Sequence, residues 1–210
     1  MPTAEITSDD PCKTTVALSE LVTLQAGYPF RGAIESKTDG SVRAVQAKDI
    51  SDLGELQSHN LITTELTGKR QPDWLQAGDI VFISKGQRHI ASYVSCNLSK
   101  TTLSPALFLL RIKPEHKERV NAEFLTWQIN QAPVQRYFRQ SAEGSHQISI
   151  RKPVLASAPV SLPDIETQNT IASMYAASIR EHALLHRLIA NRQQQLNAIA
   201  NELISNSSGH

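Results

Sequence analysis

Residues 164–204 read DIETQNTIASMYAASIREHALLHRLIANRQQQLNAIANELI, a run with no proline and no glycine. Ala, Leu, Gln, Arg and Glu dominate it. These residues lose little on entering a helix, so the run predicts one long α-helix. Asp164 stands at its start, where a carboxylate answers the free N–H groups of a first turn. Stepping by four and three from Ile171 gives Tyr175, Ser178, His182, Leu185, Ile189, Arg192, Leu196, Ile199 and Leu203, and seven of these ten positions are apolar. Such spacing over four or more heptads is the pattern of a helix-pair seam. About 40 residues at about 1.5 Å each give a rod of roughly 60 Å. A globule of this size does not cover such a rod, so part of the stripe is expected to pack on another helix. The pairing candidates are Ile171, Tyr175, Leu185, Ile189, Leu196, Ile199 and Leu203. The competing reading is a surface helix lying on its own domain, and polar Ser178, His182 and Arg192 speak for it.

Upstream the pattern changes. Pro153, Pro159 and Pro163 exclude a long helix just before residue 164. Ile148-Ser149-Ile150 reads as extended, and Ser141 to His146 as a turn-like linker. Phe124, Leu125, Gln128 and Ile129 recur at helical spacing after Asn121, a good N-cap residue. Pro133 then breaks or restarts the helix, which Val134, Tyr137 and Phe138 continue. Further upstream the elements are short and β-like. Ile80-Val81-Phe82-Ile83-Ser84 is a β-branched and aromatic run entered through the turn Leu75-Gln76-Ala77-Gly78-Asp79. Val42 to Gln46, Ile90 to Val94 and Leu107 to Ile112 are further strands. Residues 51–73 are polar and read as a meandering connection. The fold class expected is α+β: a mixed α/β globule followed by one long C-terminal helix. The divisions expected are a loose acidic leader over 1–13, the globule over 14–163, the helix over 164–205 and a disordered tail over 206–210.

Composition narrows the function classes. Of 210 residues, 40% are apolar and 20% charged, with 9 Gly and 10 Pro. Collagen-like, disordered and disulfide-scaffold classes do not fit. No apolar run of about 18 residues is present, so no membrane-spanning helix is expected. The first eleven residues carry acids and no basic residue, unlike a signal peptide. Two cysteines, Cys12 and Cys96, make no disulfide framework, and a cytoplasmic location is expected. Net charge is only +1, but residues 80–152 hold eleven Lys/Arg against four Asp/Glu, a local +7. A basic segment in a neutral chain is either unevenly lettered surface or the footprint of a polyanion.

Catalytic motifs do not emerge. The chain has no Gly-x-Gly-x-x-Gly, Walker loop, Gly-x-Ser-x-Gly, Cys-x-x-Cys or Asn-Pro-Pro-Tyr-like motif. His182 and His186 lie four apart on the helix, but two ligands do not make a zinc site. Glu115-His116-Lys117 has the Glu-x-Lys form of metal-dependent nucleases, with Asp73 and Asp79 upstream at loose spacing. A nuclease is therefore the remote alternative. No catalytic residue and no metal ligand is assigned.

Several segments then acquire meaning together. Leu21-Val22-Thr23-Leu24-Gln25-Ala26-Gly27-Tyr28-Pro29-Phe30-Arg31-Gly32 resembles the opening of a target recognition domain, followed by Val42 to Ile50. Gln76 to Gly86 is similar to the same family's Gly-Asp strand entry. Gln140-Ser141-Ala142-Glu143-Gly144, then Val160-Ser161-Leu162-Pro163 with Glu166-Thr167-Gln168, complete the order. The chain resembles the specificity (S) subunit of type I restriction–modification enzymes, from about Leu18 to about Leu203. That subunit usually carries two target recognition domains and two long helices, and this chain has one of each, like a half-subunit. The resemblance implies a non-catalytic DNA-recognition subunit that binds one half-site of double-stranded DNA. It implies pairing of two copies through the helix, and partnership with a methyltransferase (M) subunit, with or without a restriction (R) subunit. It implies no cofactor in this chain, S-adenosylmethionine belonging to the methyltransferase. The alternative is an interaction or anti-restriction scaffold that captures a methyltransferase subunit without reading DNA.

Under that resemblance the DNA contacts belong to cations, amides and hydroxyls on loops. Phosphate contacts give affinity and base edges give specificity. The candidates are Arg31 in loop 25–32, then Lys85, Arg88 and His89 in loop 85–89. Arg139, Gln140, Ser145, His146 and Gln147 follow in loop 139–147. Arg and Gln can make bidentate contacts to guanine and adenine. Gly27, Gly86 and Gly144 would allow close backbone approach. Tyr28 and Phe30 could stack or wedge, but anchoring the core or their loop is the role expected of them.

Overall fold

The computed structural model of the chain describes residues 15–68, 70–142 and 148–207, with side chains as far as Ile204. Four strands build its main sheet: β2 (Val22–Ala26), β5 (Ile80–Ile83), β6 (Ala91–Tyr93) and β8 (Leu107–Ile112). All pairings in this sheet are antiparallel and the order is β2-β8-β5-β6. Successive side chains of a strand point to opposite faces, and here both faces are covered. Ile80 and Phe82 of β5, with Leu110 and Ile112 of β8, enter a core shared with helices. Val81 and Ile83, with Leu107 and Leu109, enter a second core on the other face. Burial on both faces is why 80–83 reads as an unbroken apolar run rather than an alternating one.

The helical face carries α1 (Leu18–Leu21), α2 (Ala122–Asn130), α3 (Ala132–Ser141) and α4 (Lys152–Ala156). Asn121 caps α2 as expected, its Oδ1 accepting from the N–H groups of Glu123 at 2.8 Å and Phe124 at 3.0 Å. Pro133 sits in the first turn of α3, where its missing N–H costs nothing. Phe138 is fully buried, 5.1 Å from Phe82 between ring centres. The opposite face of the sheet carries β3 (Val42–Val45), β4 (Ile62–Thr64) and β7 (Thr101–Leu103), in the order β4-β3-β7 with β3 and β7 parallel.

Two of these strands depart from the sequence reading. β4 lies within the polar stretch 51–73, and β7 was not anticipated. Each is three residues long and flanks β3, which leaves too short a run for any periodicity to register. A last pair, β1 (Thr15–Ala17) against β9 (Pro159–Ser161), is antiparallel. It ties the beginning of the described chain to the segment that precedes the long helix.

That helix is α5 (Ile165–Ser207). Asp164 caps it, accepting at 2.8 Å from the Thr167 N–H and at 2.8 Å from the Thr167 hydroxyl. These bonds hold the Asp164 pKa below the usual carboxylate range. Compactness divides the chain at Ala172, two turns into the helix. Gln168 and Ala172 are buried in the first unit. In the second unit Leu185, Ile189, Leu196, Ile199 and Leu203 of the expected seam are about half to two-thirds exposed, as are Met174, Leu184, Leu188 and Ile204.

Candidate nucleic-acid interface

The main sheet has two ends, and the loops that carry Arg31, Lys85 and Arg88 leave from one of them. Ala26 at the end of β2 pairs with Phe108, and Ile83 at the end of β5 pairs with Leu107. The loop after β2, the loop from β5 to β6 and the entry to β8 therefore leave the sheet together. Backbone bonds tie them: Gly27 N–H donates to Leu107 O at 3.0 Å, and Ser84 N–H to Ala106 O at 2.9 Å. The segment after residue 147 joins the same end. Gly86 N–H donates to Ile148 O at 3.0 Å and Ile150 N–H to Ser84 O at 2.8 Å, around a bridge between Lys85 and Ser149.

Arg31 and Lys85 are exposed here, and no carboxylate among the described residues pairs with either. Thr67 Oγ1 accepts the Arg31 backbone N–H at 2.8 Å, which fixes the loop below the side chain. Arg88 makes an ion pair with Asp52 and also reaches Ile50 O at 3.4 Å. Exposed pairs of this kind contribute little, so a phosphate can take the guanidinium at small cost. Arg139 and Gln140 are exposed in the last turn of α3. Ser145, His146 and Gln147 lie outside the described residues.

Three expectations change. His89 belongs to the core rather than to a reading loop: it is 7% exposed, and its ring stacks on Phe82 at 6.3 Å. Its Nδ1 lies 3.2 Å from Ile83 O, and burial lowers its pKa, so the imidazole is held neutral. It faces inward because β6 begins two residues later and draws the chain back onto the sheet. Gly27 does permit a close approach, but to its own chain: a Cβ there would fall 2.0 Å from Ser104 O. The third concerns the remote nuclease. Asp79 is buried, held by Arg111 Nε and Nη2 at 2.7 Å each, and accepts the Gln76 N–H at 2.7 Å. Its oxygens are spoken for, and Glu115 and His116 sit on a 3-10 turn just after β8 rather than on a strand. The Gly-Asp pair is thus a strand-entry device: Gly78 takes φ +90°, open to glycine, and Asp79 locks the turn to β8.

Tyr28 anchors its loop as expected. It is buried, its hydroxyl accepts the Gly68 N–H at 2.7 Å, and Phe30 packs edge-on at 4.8 Å. Gln168, quoted in the sequence only as part of a motif, has a clear role. Its amide donates to Arg119 O at 2.9 Å and Pro163 O at 2.8 Å, and its Oε1 accepts the Asn121 N–H at 2.9 Å. It binds the start of α5 to the start of α2. Arg136 on α3 follows Gln135, whose amide donates to His89 O at 2.8 Å, and Lys152 on α4 follows Ile150, whose N–H donates to Ser84 O at 2.8 Å. Both cations were missed because neither lies in a loop motif; the available signal was the scarcity of acids around them.

The family description "Type I restriction modification DNA specificity domain" matches residues 13–193. The chain belongs to this family. The match takes in the globule and most of α5, so the α+β fold with a long C-terminal helix is the family's. Solved structures agree on the fold. An S subunit of a type I restriction–modification system from M. genitalium is 12% identical with a TM-score of 0.52, over 80% of this chain and 39% of that one. The HsdS subunit from Thermoanaerobacter tengcongensis is 18% identical with a TM-score of 0.59, over 89% and 47%. A chain from a structure concerned with complex assembly and conformational transition of the type I R-M system is 15% identical with a TM-score of 0.62, over 93% and 46%. The chain spans less than half the length of these specificity-subunit structures. No curated protein sequence matches it significantly. Among the described residues no helix is long and apolar enough to cross a membrane.

Proposed function

We propose that the chain recognises DNA as a specificity component of a type I-like restriction–modification system. In this reading the globule binds one half-site of a bipartite target. Two copies join through α5, and the pair directs a methyltransferase subunit, which brings S-adenosylmethionine, to the DNA. The chain itself performs no chemistry and works in the cytoplasm with that subunit, with or without a restriction subunit. The observation that carries the reading is the family match over residues 13–193. The exposed cations Arg31 and Lys85 at one sheet end support DNA as the ligand, and the exposed apolar residues of α5 support pairing. A two-fold protein then reads a two-fold site, so the target is an inverted repeat with a spacer.

Selection of bound duplexes from a randomised pool tests this. The expected result is one enriched inverted repeat, with enrichment lost when Arg31, Lys85 and Arg88 become Ala together. Capture of a methyltransferase subunit without any enriched sequence would instead support the anti-restriction scaffold.

A further inference from the structure

We propose that the outer face of α3 and the entry to α4 form a phosphate rail, which holds the duplex backbone whatever its sequence. This rests on the DNA-recognition reading and assigns the affinity, rather than the base reading, to particular side chains. From Phe124 to Pro163 the sequence has one carboxylate, Glu143, against Arg136, Arg139, Arg151 and Lys152. All four cations are exposed. Four other cations of the globule are met by acids, in Lys37–Glu65, Arg70–Asp73, Arg88–Asp52 and Arg111–Asp79. Among the described residues no carboxylate pairs with Arg136, Arg139 or Lys152. Unneutralised charge held on one face favours a polyanion.

The geometry suits a fixed backbone contact. Arg136, Arg139 and Gln140 are spaced by three and four on α3, so they share one face. Val134 and Phe138 are buried on the opposite face, which fixes that orientation. Tyr137 Oη donates to Val154 O at 3.0 Å and joins α3 to α4. Lys152 therefore stands in the same frame as the two arginines. The bond from Ile150 N–H to Ser84 O connects that frame to the Lys85 loop. Sites on packed helices are held more tightly than sites on loops. Guanidinium forks and an amide donor match phosphate oxygens. Loops 27–32 and 84–88, at the adjoining sheet end, are left to read bases.

The rail can be tested before any target sequence is known, because phosphate binding is sequence-independent and salt-dependent. Anisotropy of a labelled mixed-sequence duplex is titrated with the full chain across a NaCl series. Each lost phosphate contact flattens the log–log salt slope by about 0.9. Arg136→Ala/Arg139→Ala/Lys152→Ala together should flatten it by about 2 to 3 and weaken low-salt binding at least about tenfold. The Arg136→Lys/Arg139→Lys variant should keep the slope. Lys113→Ala/Lys117→Ala/Arg119→Ala removes equal charge at the other sheet end and should change the slope little. An unchanged slope in the first triple variant, in chain that melts like the original, overturns the rail while DNA recognition stands. Equal flattening by the second triple variant overturns it too, as a mere net-charge effect. No binding by the original chain overturns both.

Discussion

His89 shows how a single residue can be misplaced by its neighbours. In sequence it closes a basic loop, Lys85-Gly86-Gln87-Arg88-His89, and it looks like a surface reader. In the structure it lies beside Phe82, and its Nε2 is buried with no hydrogen-bond partner. Burial disfavours the imidazolium, so its pKa lies below the ordinary 6.5. The unfolded chain then binds a proton near pH 6.5 that the folded chain refuses. Stability from this group is whole above that pH and is lost as pH falls from 6.5 towards the folded value. The original chain should therefore lose urea resistance between neutral and mildly acidic pH. In His89→Gln that acid-side loss should shrink. An identical pH profile in the two proteins would mean that the imidazole is not kept neutral. Arg111 behaves in the opposite sense: the hydrogen bond to the Asp79 carboxylate raises its pKa further.

At the scale of elements, the long patterns were legible and the short ones were not. The strand at 80–83 and the strand at 107–112 were visible because burial on both faces demands consecutive apolar residues. The helix after Asn121 was visible because its cap and its spacing agree. β4 and β7 were hidden because three residues carry no period, and their neighbours across β3 come from distant sequence. The joint between α2 and α5 was equally hidden. It depends on Gln168 meeting Arg119, Pro163 and Asn121, and only the last turn of that path is local. Gln168→Leu should leave these backbone groups unpaired and cost about 1–3 kcal/mol, the range for stranding a buried polar group. Chemical denaturation measures it. A loss under about 0.5 kcal/mol, as for ordinary surface changes, would show that water replaces the amide.

At the scale of the whole molecule the open quantity is mass in solution. α5 presents Leu185, Leu188, Ile189, Leu196 and Ile199 to solvent, each about half or more exposed. Burying a Leu or Ile side chain contributes about 1.5–3 kcal/mol, so a pair of such helices has enough apolar surface to associate. Light scattering over a concentration series should give a mass near twice 23.2 kDa. Leu185→Lys/Leu196→Lys should return it to one chain. A monomer at every concentration would mean that the helix serves a different partner, and the inverted-repeat target would fall with the pairing.

The sequence by itself determined the α+β order, the capped long helix, its apolar stripe and the family resemblance. Each of these is written in local spacing or in the succession of motifs, which the chain carries without folding. Tertiary structure alone decided which cations are free. Arg88 meets Asp52, Arg111 meets Asp79 and His89 turns inward, while Arg136 and Lys152, exposed on their helices, meet no carboxylate among the described residues. The partners in those pairs are tens of residues apart, so their contacts exist only after the sheet has brought its edges and ends together. A charge count along the chain sees the basic middle, and only the packed sheet sorts it into neutralised pairs and a surface open to an anion.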